Sequence, residues 1–427
     1  MTLAQELAYQ KLSEVDRSWL DRGKSVTPGS AQTNSKQHGR VGPFSYPAFA
    51  VSGDGAWLNF LDGSRAIDLA GSNGAAALGY ARPEVTRNVM NYSTGGCTLS
   101  LPTTLEIEAS ELMTEAFTRG LRRGQHRHPL RPDKKTRRRD SERTFHHEVL
   151  VRWVKTGSEA VSAAVSIAQE DTGNSCVGVF DGAYHGWHPW TRQTINLGDP
   201  LHLLAFDRSK ELQLPRGLSS LAAVLVESPR WTSPGKDYVQ CLRNLREGCT
   251  KAGVPLIFDD VVYGFRFATG GLAETTGVAP DFACFSKALG NGVPVGCVVG
   301  GKDIMNRSAF RVSSTFGGET TGLAAALAVL SVHASQDVCG ELRAFGTDLR
   351  NRLDLALQGS PIRVEGQPQH FRFASDSRET LDAFLTGCVL NDDPVLIHRD
   401  ANNINLAIDS GIRKRIEATV RKAAESL

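Results

Sequence analysis

Between about residue 149 and residue 300 the chain repeats one pattern: a short apolar run, a helical stretch or turn, then another apolar run. The runs are Val149-Leu-Val, Cys176-Val-Gly-Val-Phe, Leu221-Ala-Ala-Val-Leu-Val, Leu256-Ile-Phe, Phe282-Ala-Cys-Phe and Val295-Gly-Cys-Val-Val. They are apolar almost throughout rather than alternating, so strands made from them need cover on both faces. Strands of that kind, separated by helices, assemble into a mostly parallel sheet between helical layers, which predicts an α/β fold. At 427 residues the chain exceeds one small core. The expected division is an N-terminal segment over 1–100, a large domain over 101–325 and a C-terminal small domain over 326–427.

Outside the repeat, residues 3–20 predict an amphipathic helix. The alternation around Asp62-Gly63 predicts a β-hairpin with a type I′ turn. A glycine-rich loop follows at 71–80, and Arg82-Pro83-Glu84 opens another helix. An alanine-rich helix begins at Gly322, and a short α+β region and a charged terminal helix close the chain. One segment breaks the pattern: from 117 to 147 arginine and lysine crowd in, with few large apolar residues. It reads as an exposed insertion unable to bury a face, and as the one place that could bind a polyanion.

Composition narrows the function classes. A net charge of +2 advertises neither nucleic acid nor an anionic membrane, and no apolar run reaches the length of a membrane span. The N-terminus carries an acid and does not read as a secretory signal. The eight cysteines are scattered without a Cys-x-x-Cys pair, as expected for free thiols in a reducing cytoplasm.

The chemistry-bearing residues fall at the ends of the runs. Asp259 and Asp260 end one apolar run, and Lys287 follows another. A lysine and a carboxylate at neighbouring strand ends can serve pyridoxal 5′-phosphate, the amine as a Schiff base and the acid on the ring nitrogen. A surface lysine and a helix-capping aspartate fit the same residues taken alone. Lys155-Thr-Gly-Ser-Glu-Ala precedes a helix whose free N–H groups suit a phosphate at Gly157 and Ser158; Ser158 as a simple N-cap is the alternative. After the run ending at Phe180 come Tyr184 and His185, either of which could stack on a flat heterocycle. His185 and His188 are three apart, but no nearby cysteine or carboxylate makes a metal site, so none is expected. Glu227 sits at a further strand end as a candidate substrate contact, and Thr315 lies in a glycine-containing loop before the alanine-rich helix as a second candidate phosphate contact. In an open parallel sheet such positions converge on one crevice.

Together these motifs resemble the class III aminotransferases of the type I pyridoxal-phosphate fold, in particular the glutamate-1-semialdehyde aminomutase-like branch. Lys155-Thr-Gly-Ser-Glu-Ala resembles its phosphate loop, Gly182-Ala-Tyr-His-Gly-Trp its stacking segment, Leu256-Ile-Phe-Asp-Asp its acid strand and Asp281-Phe-Ala-Cys-Phe-Ser-Lys its lysine segment. The resemblance implies a large, mostly parallel seven-stranded-type sheet domain plus a small α+β domain from the N- and C-terminal parts. It implies that Lys287 carries the cofactor, Asp259 meets the ring nitrogen, Gly157 and Ser158 hold the phosphate, Tyr184 stacks with His185 close by, and Thr315 comes from the partner subunit of a homodimer. The branch also places an arginine for the substrate carboxylate in the N-terminal segment; here the chain offers Lys36 and Arg40, and Lys lacks the bidentate fork. The implied activity is aminotransfer between a small amino donor and a keto or aldehyde acceptor. The alternatives are intramolecular transfer of the glutamate-1-semialdehyde 2,1-aminomutase type and a non-catalytic polyanion-binding protein on the same fold.

Overall fold

The computed structural model describes residues 12–36, 49–127, 148–192, 194–197, 218–229, 234–308 and 311–427. These residues divide into two compact units, one up to Pro83 and from Gly340 to Leu427, the other from Glu84 to Pro229 and from residue 234 to Cys339.

In the first unit a helix spans Glu14–Val26, with Ser13 as its N-cap accepting the Asp16 N–H at 3.0 Å. It ends later than the sequence suggests, and the expectation for residues 3–11 lies outside the described residues. Strands β1 (Ala50–Asp54), β2 (Trp57–Phe60) and β3 (Arg65–Asp68) form an antiparallel meander. The β2–β3 link corrects the expected type I′ turn, which needs positive φ at both central residues. It is a three-residue loop, Leu61-Asp62-Gly63, in which Gly63 alone has positive φ, at 82°. The Asp62 carboxylate accepts the Ser64 N–H at 2.9 Å, an Asx-type bond.

Beyond β3, Gly71, Ser72, Asn73 and Gly74 form a left-handed turn with φ of 58°, 51°, 56° and 86°. Left-handed backbone costs a residue with a side chain about 1–2 kcal/mol. The buried Asp68 carboxylate offsets this by accepting the N–H groups of Ala70 (2.8 Å) and Gly71 (3.1 Å) and the Tyr80 hydroxyl.

The second unit holds β4 (Val149–Val154), β5 (Val177–Val179), β6 (Thr194–Asn196), β7 (Ala223–Glu227), β8 (Leu256–Asp259), β9 (Phe282–Phe285) and β10 (Gly296–Gly301). They form one sheet in the order β4-β10-β9-β8-β7-β5-β6. All neighbours from β6 to β9 are parallel, and β10 alone runs antiparallel, between β9 and β4. Every residue of β8 and β9 is buried, as two-sided cover requires. The helix Gly157–Thr172 supplies part of that cover, packing Val161, Ala164 and Ala168 into a core with Leu225, Ile257 and Cys284.

The basic segment is corrected over its first third. Residues 117–127 continue the helix Thr104–Arg127, which buries Met113, Phe117, Gly120, Leu121 and Gly124 along one stripe. Arg119, Arg122, Arg123 and Arg127 occupy its exposed side, with Arg119 paired to Glu115 at 2.8 Å and Arg123 near Glu274 at 3.4 Å. The expectation for residues 128–147 lies outside the described residues.

The C-terminal part of the first unit adds β11 (Arg363–Gln367), β12 (His370–Ala374), β13 (Val395–Leu396) and β14 (Asn402–Asn403). β13 pairs in parallel with β3, and β11, β12 and β14 make a small antiparallel sheet. Among the described residues no single helix is long and apolar enough to cross a membrane.

Candidate active site

Because β4 and β9 both run against β10, they point the same way as β5, β7 and β8. The carboxyl ends of five strands therefore share one sheet edge. Lys155–Ser158, Tyr184–His185, Glu227, Asp259 and Lys287 follow or end those strands. This edge is where open α/β sheets take their ligands.

Asp259 ends β8 in a buried position, opposite Glu227 on β7 and Cys284 on β9. Its Oδ2 lies 2.8 Å from His185 Nδ1, and its Oδ1 accepts the Val261 N–H at 3.2 Å. Two oxygens offer about four acceptor positions, so the carboxylate keeps capacity for a further donor. His185 is itself buried, and its Nε2 has no hydrogen-bond partner among the described residues. Tyr184 presents a ring 60% exposed, while its main-chain N–H donates to Glu227 Oε2 at 3.0 Å.

The helix beginning at Gly157 is capped by Thr156, not Ser158. Thr156 Oγ1 accepts the Glu159 N–H at 3.1 Å, and Glu159 Oε2 accepts the N–H groups of Lys155 (2.7 Å) and Thr156 (3.2 Å). This capping box leaves the N–H groups of Gly157 and Ser158 outside it, at the positive end of the helix dipole. A Cβ on Gly157 would sit 2.5 Å from Val261, so only glycine lets the helix start come this close to the turn after Asp259. On the other side, a Cβ on Gly186 would lie 2.6 Å from Ser158 Oγ. The stacking loop, the acid strand and the helix start are thus in mutual contact.

Lys287 opens a single helical turn, Lys287–Gly290, in the connection from β9 to β10. It is half-buried and has a left-handed φ of 46°. The turn is anchored by the buried Ser286, whose Oγ donates to Val295 O at 2.8 Å. A lysine held in left-handed backbone beside a ligand edge is strain of the kind that collects at functional sites.

Thr315 is exposed in the loop before the helix Thr320–Ser335. That loop is tied to the same edge by Lys155, whose Nζ donates to Glu319 Oε1 at 2.6 Å. Burial works to raise the Glu319 pKa, but hydrogen bonds from Lys155, Thr321 and Gly322 outweigh it and hold the carboxyl below its ordinary value. His188 is occupied elsewhere, its Nδ1 lying 2.6 Å from Ser162 Oγ. Lys36 is exposed in the first unit, in the turn Asn34–Lys36, and Arg40 lies outside the described residues. Sequence reasoning missed the Thr156 cap, although Thr156-Gly-Ser-Glu159 spells a capping box; it also missed the His185–Asp259 and Lys155–Glu319 pairs, which no local spacing announces.

Residues 214–389 match the family described as Aminotransferase class-III. A glutamate-1-semialdehyde 2,1-aminomutase of Desulforapulum autotrophicum is 30% identical over 332 residues, covering 71% of this chain and 69% of the relative. The chain belongs to the class-III aminotransferase family. The enzyme of the same name from Chlorobium phaeobacteroides is 29% identical over 73% of this chain and 72% of its own length. Among solved structures, the FumI protein of Sphingopyxis sp. MTA144 superposes with a TM-score of 0.80 at 20% identity, covering 96% of each chain. A β-phenylalanine aminotransferase from Variovorax paradoxus gives 0.77 at 23% identity, covering 98% of this chain and 96% of its own. The fold is therefore the type I pyridoxal-phosphate fold, and the protein is an enzyme of pyridoxal-phosphate-dependent amino transfer. The sheet edge fits that cofactor: a buried carboxylate with spare acceptor capacity, a helix start with unused N–H groups, and an amine on the neighbouring strand end.

Proposed function

We propose that this enzyme passes an amino group between two separate small molecules, an amino donor and a keto or aldehyde acceptor, as a cytoplasmic homodimer. The observation that carries the reading is the buried Asp259–His185 pair at the same sheet edge as Lys287 and the Gly157–Ser158 helix start. Lys287 Nζ would carry the cofactor, Asp259 would accept its ring N–H, and Gly157 and Ser158 would hold its phosphate. Tyr184 would stack on the ring, and His185 steadies the Asp259 carboxylate. Thr315 adds a phosphate contact from the partner subunit, and Lys36 and Arg40 are the candidates for a substrate carboxylate.

Pyridoxal phosphate supplies the electron sink that makes the substrate's α-proton removable. The chain's own groups do the rest. Lys287 Nζ, freed once the donor's amine has taken its place, would take the proton from the substrate α-carbon as general base. Asp259, buried at the end of β8, would hold the proton on the cofactor's ring nitrogen and so support the electron sink that the cofactor supplies.

The homodimer is supported by exposed apolar side chains around one helix start. Leu99, Leu101, Ile107 and Phe316 are all exposed. The segments that carry them meet through Thr320 N–H on Cys97 O (2.8 Å) and through the close approach of Gly318 to Glu106. Clustered exposed apolar groups mark association surfaces. The eight free thiols suit a reducing compartment.

Intramolecular transfer is the second reading, favoured by the 27–30% identity to curated aminomutases. Against it stands the N-terminal segment, which offers Lys36 or Arg40 for the substrate carboxylate that the branch holds with an arginine, and Lys36 lacks the fork. The half-reaction separates the two. Loaded enzyme mixed with excess L-glutamate or L-alanine, and no acceptor, is expected to release one keto acid per active site; Lys287→Ala is expected to release none. Failure to release any keto product from a panel of donors, with isomerisation of a single substrate instead, would exclude the intermolecular reading.

A further inference from the structure

Glu227 ends β7 directly opposite Asp259 on β8. The two acids hold consecutive residues of one loop: Glu227 Oε2 accepts the Tyr184 main-chain N–H at 3.0 Å, and Asp259 Oδ2 lies 2.8 Å from His185 Nδ1. Beside these two bonds the loop has the Ala183 N–H on Phe180 O at 3.3 Å and the close approach of Gly186 to Ser158, neither of which holds the Tyr184 N–H. Residues 183–186 have no regular structure, and Tyr184 lies between Gly182 and Gly186, whose φ values are 72° and 99°. Glycines in that region leave the backbone between them free to turn. The Tyr184 ring is 60% exposed, so side-chain packing does not set its orientation.

We propose that Glu227 is a positioning residue for the cofactor platform: by accepting the Tyr184 N–H it fixes the main chain from which the Tyr184 ring and the His185 imidazole project. Its strand-end placement otherwise suggests a substrate contact, and the bond to Tyr184 gives it a different task. The proposal rests on the reading that Tyr184 and Asp259 face the cofactor. A carboxylate on a backbone N–H is among the stronger protein hydrogen bonds. Glutamine keeps an acceptor oxygen in the same place, whereas leucine keeps the volume and removes the acceptor.

The test compares Glu227→Gln and Glu227→Leu with the unaltered enzyme. In cofactor-free protein, amide hydrogen exchange followed by mass spectrometry on the peptide containing Tyr184 is expected to speed up about tenfold or more in Glu227→Leu and to stay near the original rate in Glu227→Gln. Titration with pyridoxal phosphate, read by the circular dichroism of the bound cofactor, is expected to show about tenfold weaker binding for the leucine variant and little change for glutamine. At saturating cofactor the donor KM is expected to move less than about twofold in either variant. Unchanged exchange in Glu227→Leu overturns the proposal, as does glutamine behaving like leucine. Normal cofactor affinity with a raised donor KM overturns it in favour of a substrate contact. The exchange arm needs no cofactor, so it judges the tether even if the assigned cofactor contacts fail. Far-ultraviolet circular dichroism checks folding, and Glu227→Ala, which also removes the acceptor, repeats the comparison if leucine misfolds.

Discussion

Asp259 and Asp260 are neighbours in the chain and opposites in environment. Asp259 has His185 and the Val261 N–H as partners. Asp260 is wholly buried; its Oδ1 accepts the Leu272 N–H at 2.8 Å, and its Oδ2 has no partner among the described residues. Burial first, and then the nearby Asp259 charge, push the Asp260 carboxyl well above its ordinary 3.8, against the pull of the Leu272 bond. From pH 3.8 up to that raised value the folded chain binds a proton that the unfolded chain has lost, so stability falls as pH rises through this window. Asp260→Asn keeps the acceptor and deletes the titration. Urea unfolding is expected to find it more stable than the unaltered enzyme near pH 7, by an amount that grows by at most about 1.4 kcal/mol per pH unit and disappears below about pH 4. An equal difference at all pH values would refute the account. The sequence shows the acid pair but not this division, because which aspartate is sealed in depends on the distant helix Gly271–Thr276.

At the scale of elements, the helix Thr104–Arg127 shows how composition can hide a pattern. Arginines dominate its last turns, and two of its buried positions are glycines, so counting large apolar residues understates the stripe through Met113, Phe117 and Leu121. The glycines are contact points: a Cβ on Gly120 would lie 2.7 Å from Gly270 Cα, and one on Gly124 would lie 2.5 Å from the carbonyl oxygens of Ala273 and Glu274. Two effects then compete in Gly124→Ala. Helix propensity favours alanine by about 1 kcal/mol, while overpacking against backbone costs about 1–3 kcal/mol. The obstacle is main chain and cannot rotate away, so a net loss of stability is expected in chemical denaturation. The edge strand β6 escaped the sequence for the opposite reason, since Thr194-Ile-Asn carries no apolar run at all. The fully buried strands were legible because cover on both faces leaves sequence no choice but continuous apolar residues.

For the whole molecule, the order of the chemical groups along the chain was readable, and their convergence followed from the parallel topology. What sequence could not supply were the long-range side-chain pairs, His185–Asp259 and Lys155–Glu319, which are 74 and 164 residues apart. Assembly gives a test of its own. Thr315→Ala is expected to weaken cofactor binding by about 1.5–3 kcal/mol if its hydroxyl meets the phosphate. If that hydroxyl serves the partner subunit, mixed dimers of Thr315→Ala and Lys287→Ala chains contain one intact site and one doubly defective site. Tight cofactor binding is then expected at half the sites of isolated mixed dimers, about a quarter of all sites in a freely re-assorted equal mixture, and no recovery would place Thr315 in its own subunit's site. The antiparallel β10 has a further consequence. It makes the lysine's connection a short reversal, closed by a bond between residues 9 apart, whereas the acid clamp joins residues 74 apart. Loop-closure entropy separates these by about 2 kcal/mol. The proposed cofactor tether thus sits in a loop cheaper to close than the crossing of the chain that brings His185 to Asp259.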